Sequence, residues 1–559
     1  MNQIIYENIE RELITLFLSK QFDEVEAKIQ PILIKHPKWL NGWKILSDTL
    51  LIQGKDAKTA AQKALALNQF DAAEHCYYGL ILKSEGDLKG AESAFTDAVR
   101  LNQNYAAAYN NLGIVKKDLG DVATGIQHYQ TALRINPSYA DCFSNLLFCL
   151  SHHDQIDAKA LYQAHVQYSQ LYEVPIQKKW PIHRNSNHRD RVLNIGFVSA
   201  DFRDHSVSYC FEPILNYLQH SQELKLFAYY NHTIEDETTN RIKEKFLNWR
   251  YVNALSDIDL CQIIKNDGID ILVDLSGHTA GNRLTAFAMK FAPIQVSWFG
   301  YLATTGLKAM DYYLADAYLA PPNQFDPYFS EKLVQLPVNA PFMPFENSPD
   351  VNELPALKNG YLTFACFNRI SKISDATILQ WSMLLKALPN AKLLLGAVSK
   401  SDSTDHLAQR FMHHGVDQTQ LIFKPRSDML SYLSLHHEVD ICLDTQPSSG
   451  ITTTFHAAWM GVPTICLNAK TLTGRGSMAI MSHLGLTQFI ANDPDVFVQI
   501  GCYWSSHLNE LASIRSEMRK RFMESPIADS EKLSNALELS FRKMWLTWCK
   551  RQNKKSFCI

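Results

Sequence analysis

Asp440-Ile441-Cys442-Leu443-Asp444-Thr445-Gln446-Pro447-Ser448-Ser449-Gly450-Ile451-Thr452-Thr453-Thr454-Phe455-His456-Ala457-Ala458-Trp459-Met460-Gly461-Val462-Pro463 changes character twice in one short stretch. An apolar run ends at Leu443, a Pro/Ser/Gly loop follows, and a helical segment opens inside the threonine run. Strand, loop and helix in that order make one unit of a parallel sheet covered on both faces. In open α/β sheets ligands bind beyond the carboxyl ends of strands. A helix N-terminus placed there offers free backbone N–H groups to an anion such as a diphosphate. Gly450, Thr452, Thr453 and Thr454 are therefore candidates for holding a diphosphate, with His456 one turn further on. An ordinary threonine cap would read the same way, so the neighbouring sequence has to decide.

Working outward, apolar β-type runs alternate with helical segments from Val192 onward. One set is Val192–Val198, Ile269–Leu275, Ile294–Trp298 and Lys332–Leu336. A second is Tyr361–Ala365, Lys392–Leu395, Leu421–Phe423, Val439–Leu443 and Thr464–Leu467. The Pro-rich stretch Pro337 to Pro355 divides them, which predicts two doubly wound domains facing a cleft, over 192–350 and 351–549. After about Ala491, helices including Glu510 to Phe522 and Glu531 to Trp548 close the second domain.

Strand ends locate the remaining candidates. Lys372, in Phe367-Asn368-Arg369-Ile370-Ser371-Lys372-Ile373-Ser374, follows the first strand of the second half, where a cation can neutralise a departing diphosphate. Arg369, in the same stretch, joins it on the donor side. In the first half Asp201-Phe202-Arg203-Asp204-His205 and Ser276-Gly277-His278-Thr279 also follow strand ends. A histidine there can take a proton from a hydroxyl or hydrogen-bond a sugar.

Residues 1–150 repeat with a period of 34. Ala64, Ala98 and Ala132 coincide, as do Asn68, Asn102 and Asn136, and the bulkier Ala61, Phe95 and Tyr129. Gly86-Asp87 and Gly120-Asp121 keep the spacing, with Gly79 and Gly113. That is the tetratricopeptide period, which predicts stacked helix pairs forming a groove for a protein or peptide. A scaffold for self-association, including a homodimer, stays open. Phe22 to Trp43 reads as a degenerate first repeat, and Gly54 stands about two residues out of register. Residues 151–191 read as a linker, polar and basic toward its end, and Lys550-Arg551-Gln552-Asn553-Lys554-Lys555 as a solvated tail.

Composition narrows the function classes. The 559 residues are 46% hydrophobic and 20% charged, with a net charge of −3, so no basic nucleic-acid footprint is present. Eleven cysteines lack zinc spacing, which fits free thiols in a reducing compartment. No basic leader opens Met1 to Asn8 and no long apolar run follows, so the expectation is a cytoplasmic protein without a membrane partner.

Asp267-Gly268-Ile269-Asp270-Ile271-Leu272-Val273-Asp274-Leu275-Ser276-Gly277-His278-Thr279, then Ala292-Pro293-Ile294-Gln295-Val296-Ser297-Trp298-Phe299-Gly300-Tyr301 and Thr304-Thr305-Gly306, closely resemble the bacterial branch of the O-linked N-acetylglucosamine transferase and SPINDLY family. The resemblance runs from the repeats to about Ala491. It implies a GT-B fold and inverting, metal-independent transfer from a nucleotide-sugar, UDP-N-acetylglucosamine by default, to a protein Ser or Thr. By motif match it implies that His205 is the active-site histidine, that Asp267 is an acidic residue also discussed as a base, and that Lys372 holds the donor diphosphate. Thr452 and Thr453 match the threonines of the diphosphate-binding helix. His278, Gly300, Tyr301 and Leu302 fall on the sugar and acceptor side of the cleft. Cofactors are none beyond the co-substrate.

The sequence departs from the family at four of these places. His456 stands where an Asp for the ribose hydroxyls is usual, and Ile451 where the animal enzyme has His. Tyr432 replaces an expected histidine and Leu302 an expected proline. Donors carrying glucose, another hexose or GDP-fucose, and asparagine acceptors, are therefore alternatives. A protein that kept the fold for binding but lost turnover is another. Transfer to lipid or glycan is less favoured, because no amphipathic membrane patch is evident.

Overall fold

The computed structural model describes residues 3–396 and 402–559; Met1 and Asn2, where the reading of the leader begins, lie outside them. It divides into two units, 1–146 and 147–559.

The first unit is built of antiparallel helix pairs, Leu40–Ile52 with Lys58–Leu67, Ala72–Ser84 with Leu88–Leu101, and Ala106–Asp118 with Val122–Ile135. The 34-residue pattern has a steric cause. A Cβ on Gly79 would lie 2.7 Å from the ring of Phe95, and one on Gly113 would lie 2.6 Å from Tyr129. Each glycine therefore admits the aromatic ring of the second helix in its own pair. Gly86 and Gly120 end the first helices at positive φ, 83° and 89°. Asp87 and Asp121 then cap the second helices, accepting from Gly90 N–H and Thr124 N–H. Ala64, Ala98 and Ala132 are fully buried where the pairs meet. The out-of-register Gly54 reflects a shorter second helix, 10 residues in Lys58–Leu67 against 14 in Leu88–Leu101, which outweighs the longer turn 53–57. The helices Gln3–Leu18 and Phe22–Lys35 precede them.

The second unit carries two parallel sheets. The strands are β1 Leu193–Ser199, β2 Leu224–Tyr230, β3 Asn248–Tyr251, β4 Ile271–Asp274, β5 Ile294–Trp298, β6 Tyr312–Asp316 and β7 Lys332–Leu336 in the first half. In the second they are β8 Thr363–Cys366, β9 Lys392–Leu395, β10 Leu421–Phe423, β11 Ile441–Leu443, β12 Thr464–Leu467 and β13 Ile490–Ala491. With β14 Phe557–Cys558, the described strands run β14-β7-β6-β5-β4-β1-β2-β3 and β10-β9-β8-β11-β12-β13. Both halves thus reverse strand order beside their first strand, between β1 and β4 and between β8 and β11. These switch points are where an open sheet leaves a crevice. The strand interiors are apolar and buried, in keeping with helices on both faces.

Two expectations need correction. The stretch 151–191 is not all linker, because Ala158–Tyr172 is a helix with Leu161, His165, Tyr168 and Ser169 buried against the first sheet's loops. Its following residue, Glu173, accepts from the N–H groups of Lys308 and Ala309 at 2.9 and 2.6 Å. Nor is the tail simply solvated. Lys554 pairs with Asp311 at 2.6 Å, and β14 adds to β7. The C-terminal helix Ser530–Cys549 crosses to the first half, packing on Ser206–Leu218, with Ser534 Oγ donating to Ile214 O.

Candidate donor site

At the second switch point β8 delivers Asn368 to Lys372 and β11 delivers Asp444 to Gly450. The helix Thr452–Trp459 begins there, and its N-cap is Ile451, whose side chain has no oxygen to cap with. An ordinary threonine cap is therefore not what the threonine run provides. The first intrahelical bond of that turn runs from Phe455 N–H to Ile451 O, so the amides of Thr452, Thr453 and Thr454 are the helix-start donors left for an anion. The threonine hydroxyls build the wall: Thr453 Oγ1 donates to Asn368 Oδ1 at 2.6 Å, and Thr454 Oγ1 meets Ser477 Oγ at 2.8 Å. A Cβ on Gly450 would lie 2.7 Å from Thr453 Oγ1 and 2.9 Å from Asn368 Oδ1, so glycine keeps this corner clear.

Lys372 lies in the short turn Ile370–Lys372, with Nζ donating to Ser449 O at 2.6 Å. Burial lowers its pKa to about 8, with the charge of Asp444 opposing that fall and Arg369 adding to it. An ammonium whose pKa burial has lowered, bound to Ser449 O just ahead of a helix N-terminus, is suited to meeting a dianionic phosphate.

Burial lowers the pKa of His205 in the first half, the charge of Asp201 opposes that fall, and Arg203 and then the exposed Arg369 add to it. His205 is the N-cap of Ser206–Leu218. Its Nδ1 accepts from Val207 N–H at 3.2 Å. That bond fixes the neutral tautomer with hydrogen on Nε2, so His205 presents a donor and takes a proton only by giving up its cap.

Other sequence candidates lie elsewhere. Asp267 follows the helix Asp257–Asn266 at the amino end of β4, where its backbone oxygen accepts from Asn194 Nδ2 near the start of β1. Its carboxylate is held by Arg250 at 2.7 Å and the Tyr229 hydroxyl at 2.9 Å. The length of β1, roughly 20 Å, separates it from the strand ends that carry His205. Asp267 is thus a structural ion pair, not part of this site.

His278 sits at the correct end of β4 but beneath the helix Ala158–Tyr172. It is 1% exposed, with Nε2 on Thr305 O at 2.9 Å and its ring against His165 and Tyr168. Tyr301 is buried in the same cluster, its hydroxyl 3.0 Å from His165 Nε2. Gly300 is required because a Cβ would lie 1.9 Å from Leu275 O. His278 and Tyr301 are thus buried among the loops of the first sheet, while Gly300 is half-buried beside Leu275.

Two of the four departures touch each other, and the other two belong to one apolar cluster. Tyr432 OH lies 3.3 Å from His456 Nδ1, and their rings meet edge to face. His456 is 5% exposed, packed against Phe342 and Phe345, with Nε2 unpartnered, and burial lowers its pKa to about 4. Leu302 and Ile451 share one apolar cluster with Leu472 and Ala479.

Sequence reasoning missed three residues that complete the site. Asp444 accepts from Gly450 N–H at 2.8 Å. Ser477 N–H donates to Ser449 Oγ at 2.7 Å, and Arg475 ties the halves together by donating to Tyr318 O and Leu319 O. Gly474-Arg475-Gly476-Ser477, a glycine-flanked run after β12, was the available signal.

Fold and site together define a class: tetratricopeptide-type helical repeats followed by paired α/β domains, each with a crevice at its switch point. Comparison with known proteins narrows this. The family model described as glycosyl transferase family 41 matches residues 130–343 and 352–537, and a tetratricopeptide repeat model matches 106–139. The chain belongs to glycosyl transferase family 41. It is 32% identical over 404 residues to a tomato (Solanum lycopersicum) protein named as a probable UDP-N-acetylglucosamine–peptide N-acetylglucosaminyltransferase SPINDLY, covering 70% of this chain and 42% of that one. It is 30% identical over 382 residues to the corresponding SEC protein of Arabidopsis thaliana, covering 66% and 38%. The chain thus spans about two fifths of the length of these curated relatives. A solved lysine-to-methionine variant of the Thermobaculum terrenum O-GlcNAc transferase superposes with a TM-score of 0.83 at 29% identity, covering 94% of this chain and 99% of that one.

Proposed function

We propose that this chain is a protein glycosyltransferase that moves a sugar from a nucleoside-diphosphate sugar, N-acetylglucosamine from UDP by default, to a Ser or Thr hydroxyl with inversion. The observation that carries this reading is Lys372 Nζ bound to Ser449 O, two residues ahead of the Ile451 N-cap that leaves the amides of Thr452 to Thr454 free of a side-chain cap. The acceptor oxygen attacks the anomeric carbon as the bond to the diphosphate oxygen breaks. Charge developing on that oxygen falls to Lys372 and the helix N-terminus, which supports a reaction independent of metal. The hydroxyl proton passes to His205 Nδ1 once the Val207 bond opens, or to water. The repeat groove is the proposed seat of a protein acceptor. No helix among the described residues is long and apolar enough to cross a membrane; residence in the cytoplasm is part of the proposal.

The test is calorimetric titration of the full chain with a panel of nucleotides and nucleotide-sugars, with Lys372→Ala as control. Tight binding of one nucleoside diphosphate, weakened at least a hundredfold in the variant, is expected and names the donor base. Because Tyr432 and His456 pack against each other, a second reading has this couple closing the nucleoside side and leaving a binding protein. Absence of binding by every nucleotide would establish that reading.

A further inference from the structure

Ser449 O and Gly450 N–H belong to one peptide unit, and charged side chains hold both ends of it. Lys372 Nζ donates to the carbonyl at 2.6 Å, and Asp444 Oδ1 accepts from the amide at 2.8 Å. A trans peptide directs these groups oppositely, so cation, peptide dipole and anion lie in sequence with every contact favourable. Asp444 is 2% exposed, directly after β11, and its Oδ2 has no hydrogen-bond partner. An acid beneath a phosphate loop is counterproductive for anion binding unless it does something else.

Resting on the donor-site reading above, we propose that Asp444 is a positioning residue: through the Ser449–Gly450 peptide it keeps Lys372 charged and holds the start of helix Thr452–Trp459 open to the diphosphate. The peptide orientation it fixes is the one that leads into the three uncapped threonine amides. The charged and titratable groups facing the pair are few. Lys372 faces Asp444, Arg369 and the Cys366 thiol, and Asp444 faces Lys372 and the Ser449 and Ser477 hydroxyls. Asp444 is the carboxylate among them. Burial raises its own pKa to about 6, so it is charged where Lys372 must be. Its charge opposes the burial that draws Lys372 down to about 8.

The experiment is calorimetric binding of UDP and of GDP to the full chain from pH 6.5 to 10, in wild type and Asp444→Asn. The amide keeps an oxygen for Gly450 N–H and removes only the charge. Wild-type affinity is expected to fall above about pH 8 as Lys372 loses its proton. In D444N that fall should begin roughly one pH unit lower, with affinities converging toward pH 6.5. Lys372→Arg, which stays protonated throughout, should abolish the fall. Should D444N fail to fold, Asp444→Ser is an equally neutral and smaller replacement for the same measurement. A fall at the wild-type pH, or an equal loss at every pH, would overturn the role given to Asp444 while leaving the donor site standing. Failure of wild type to bind either nucleotide would overturn the donor site itself and this inference with it.

Discussion

Replacing His456 with aspartate restores the residue type usual in the family and should reverse the local pH dependence of stability. The imidazole is 5% exposed, packed against Phe342, Phe345 and Tyr432, and its pKa is lowered to about 4 by burial alone. Its folded-state pKa lies below the unfolded value near 6.5. Stability is therefore complete at pH 8 and lost as pH falls, by about 2 kcal/mol at pH 5. A carboxylate in the same place behaves oppositely. Asp440 and Asp444 are pushed up to about 6 even with backbone amides and a cation nearby. With no cation acting on position 456, an aspartate should lie at least as high. Against about 3.9 unfolded, that costs about 3 kcal/mol at pH 8 and about half as much at pH 5. His456→Asp should accordingly unfold about 3 °C below wild type at pH 8 and close to it at pH 5, for a unit of this size. The assay is thermal unfolding followed by circular dichroism at both pH values. If the carboxylate meets ribose hydroxyls, saturating UDP raises the variant's midpoint more than the wild type's. An equal loss at pH 5 and pH 8 would refute the argument, since the cost would then not come from burying a charge.

Gly450→Ala places a methyl group against Thr453 Oγ1 and Asn368 Oδ1 and forces their 2.6 Å hydrogen bond apart. Nucleotide affinity measured by calorimetry should fall at least tenfold while overpacking costs about 1–3 kcal/mol of stability; unchanged affinity would contradict the placement of the anion site. Asp267→Asn should lower the unfolding midpoint slightly, by about 1 kcal/mol for the weakened Arg250 contact, and leave kcat within about threefold. A hundredfold loss in a transfer assay would place Asp267 in the chemistry despite its position at the far end of β4.

What could be read in the sequence was whatever repeats or runs along the chain. The 34-residue period was legible because one steric contact, glycine against an aromatic ring, recurs in successive helix pairs. The strands were legible because burial on both faces demands continuous apolar runs, and their ends pointed to Lys372 and the threonine helix. Which end of a strand a residue flanks is also legible, and Asp267 stands before β4, a clue outweighed by motif likeness. Burial by a distant segment is not legible. Nothing near His278 announces that Ala158–Tyr172, read as part of a linker, would cover it. Asp444 was hidden for another reason: its partner is the amide of Gly450, a backbone group that no residue pattern marks.

The departures from the family gain meaning only in three dimensions. Read singly along the chain, Leu302, Tyr432, Ile451 and His456 look like independent losses around a nucleotide, as in a decaying enzyme. In space, Tyr432 and His456 touch each other, while Ile451 and Leu302 share an apolar cluster. Tyr432 and His456 fill their shared space ring against edge, although His456 Nε2 is left without a hydrogen-bond partner. The diphosphate corner, where Lys372 and Asp444 hold the two ends of the Ser449–Gly450 peptide, adjoins Ile451, the N-cap of the helix Thr452–Trp459. We therefore read the four changes as a repacking around a site that keeps Lys372 and its uncapped threonine helix, and the nucleotide panel decides between an altered donor preference and lost turnover.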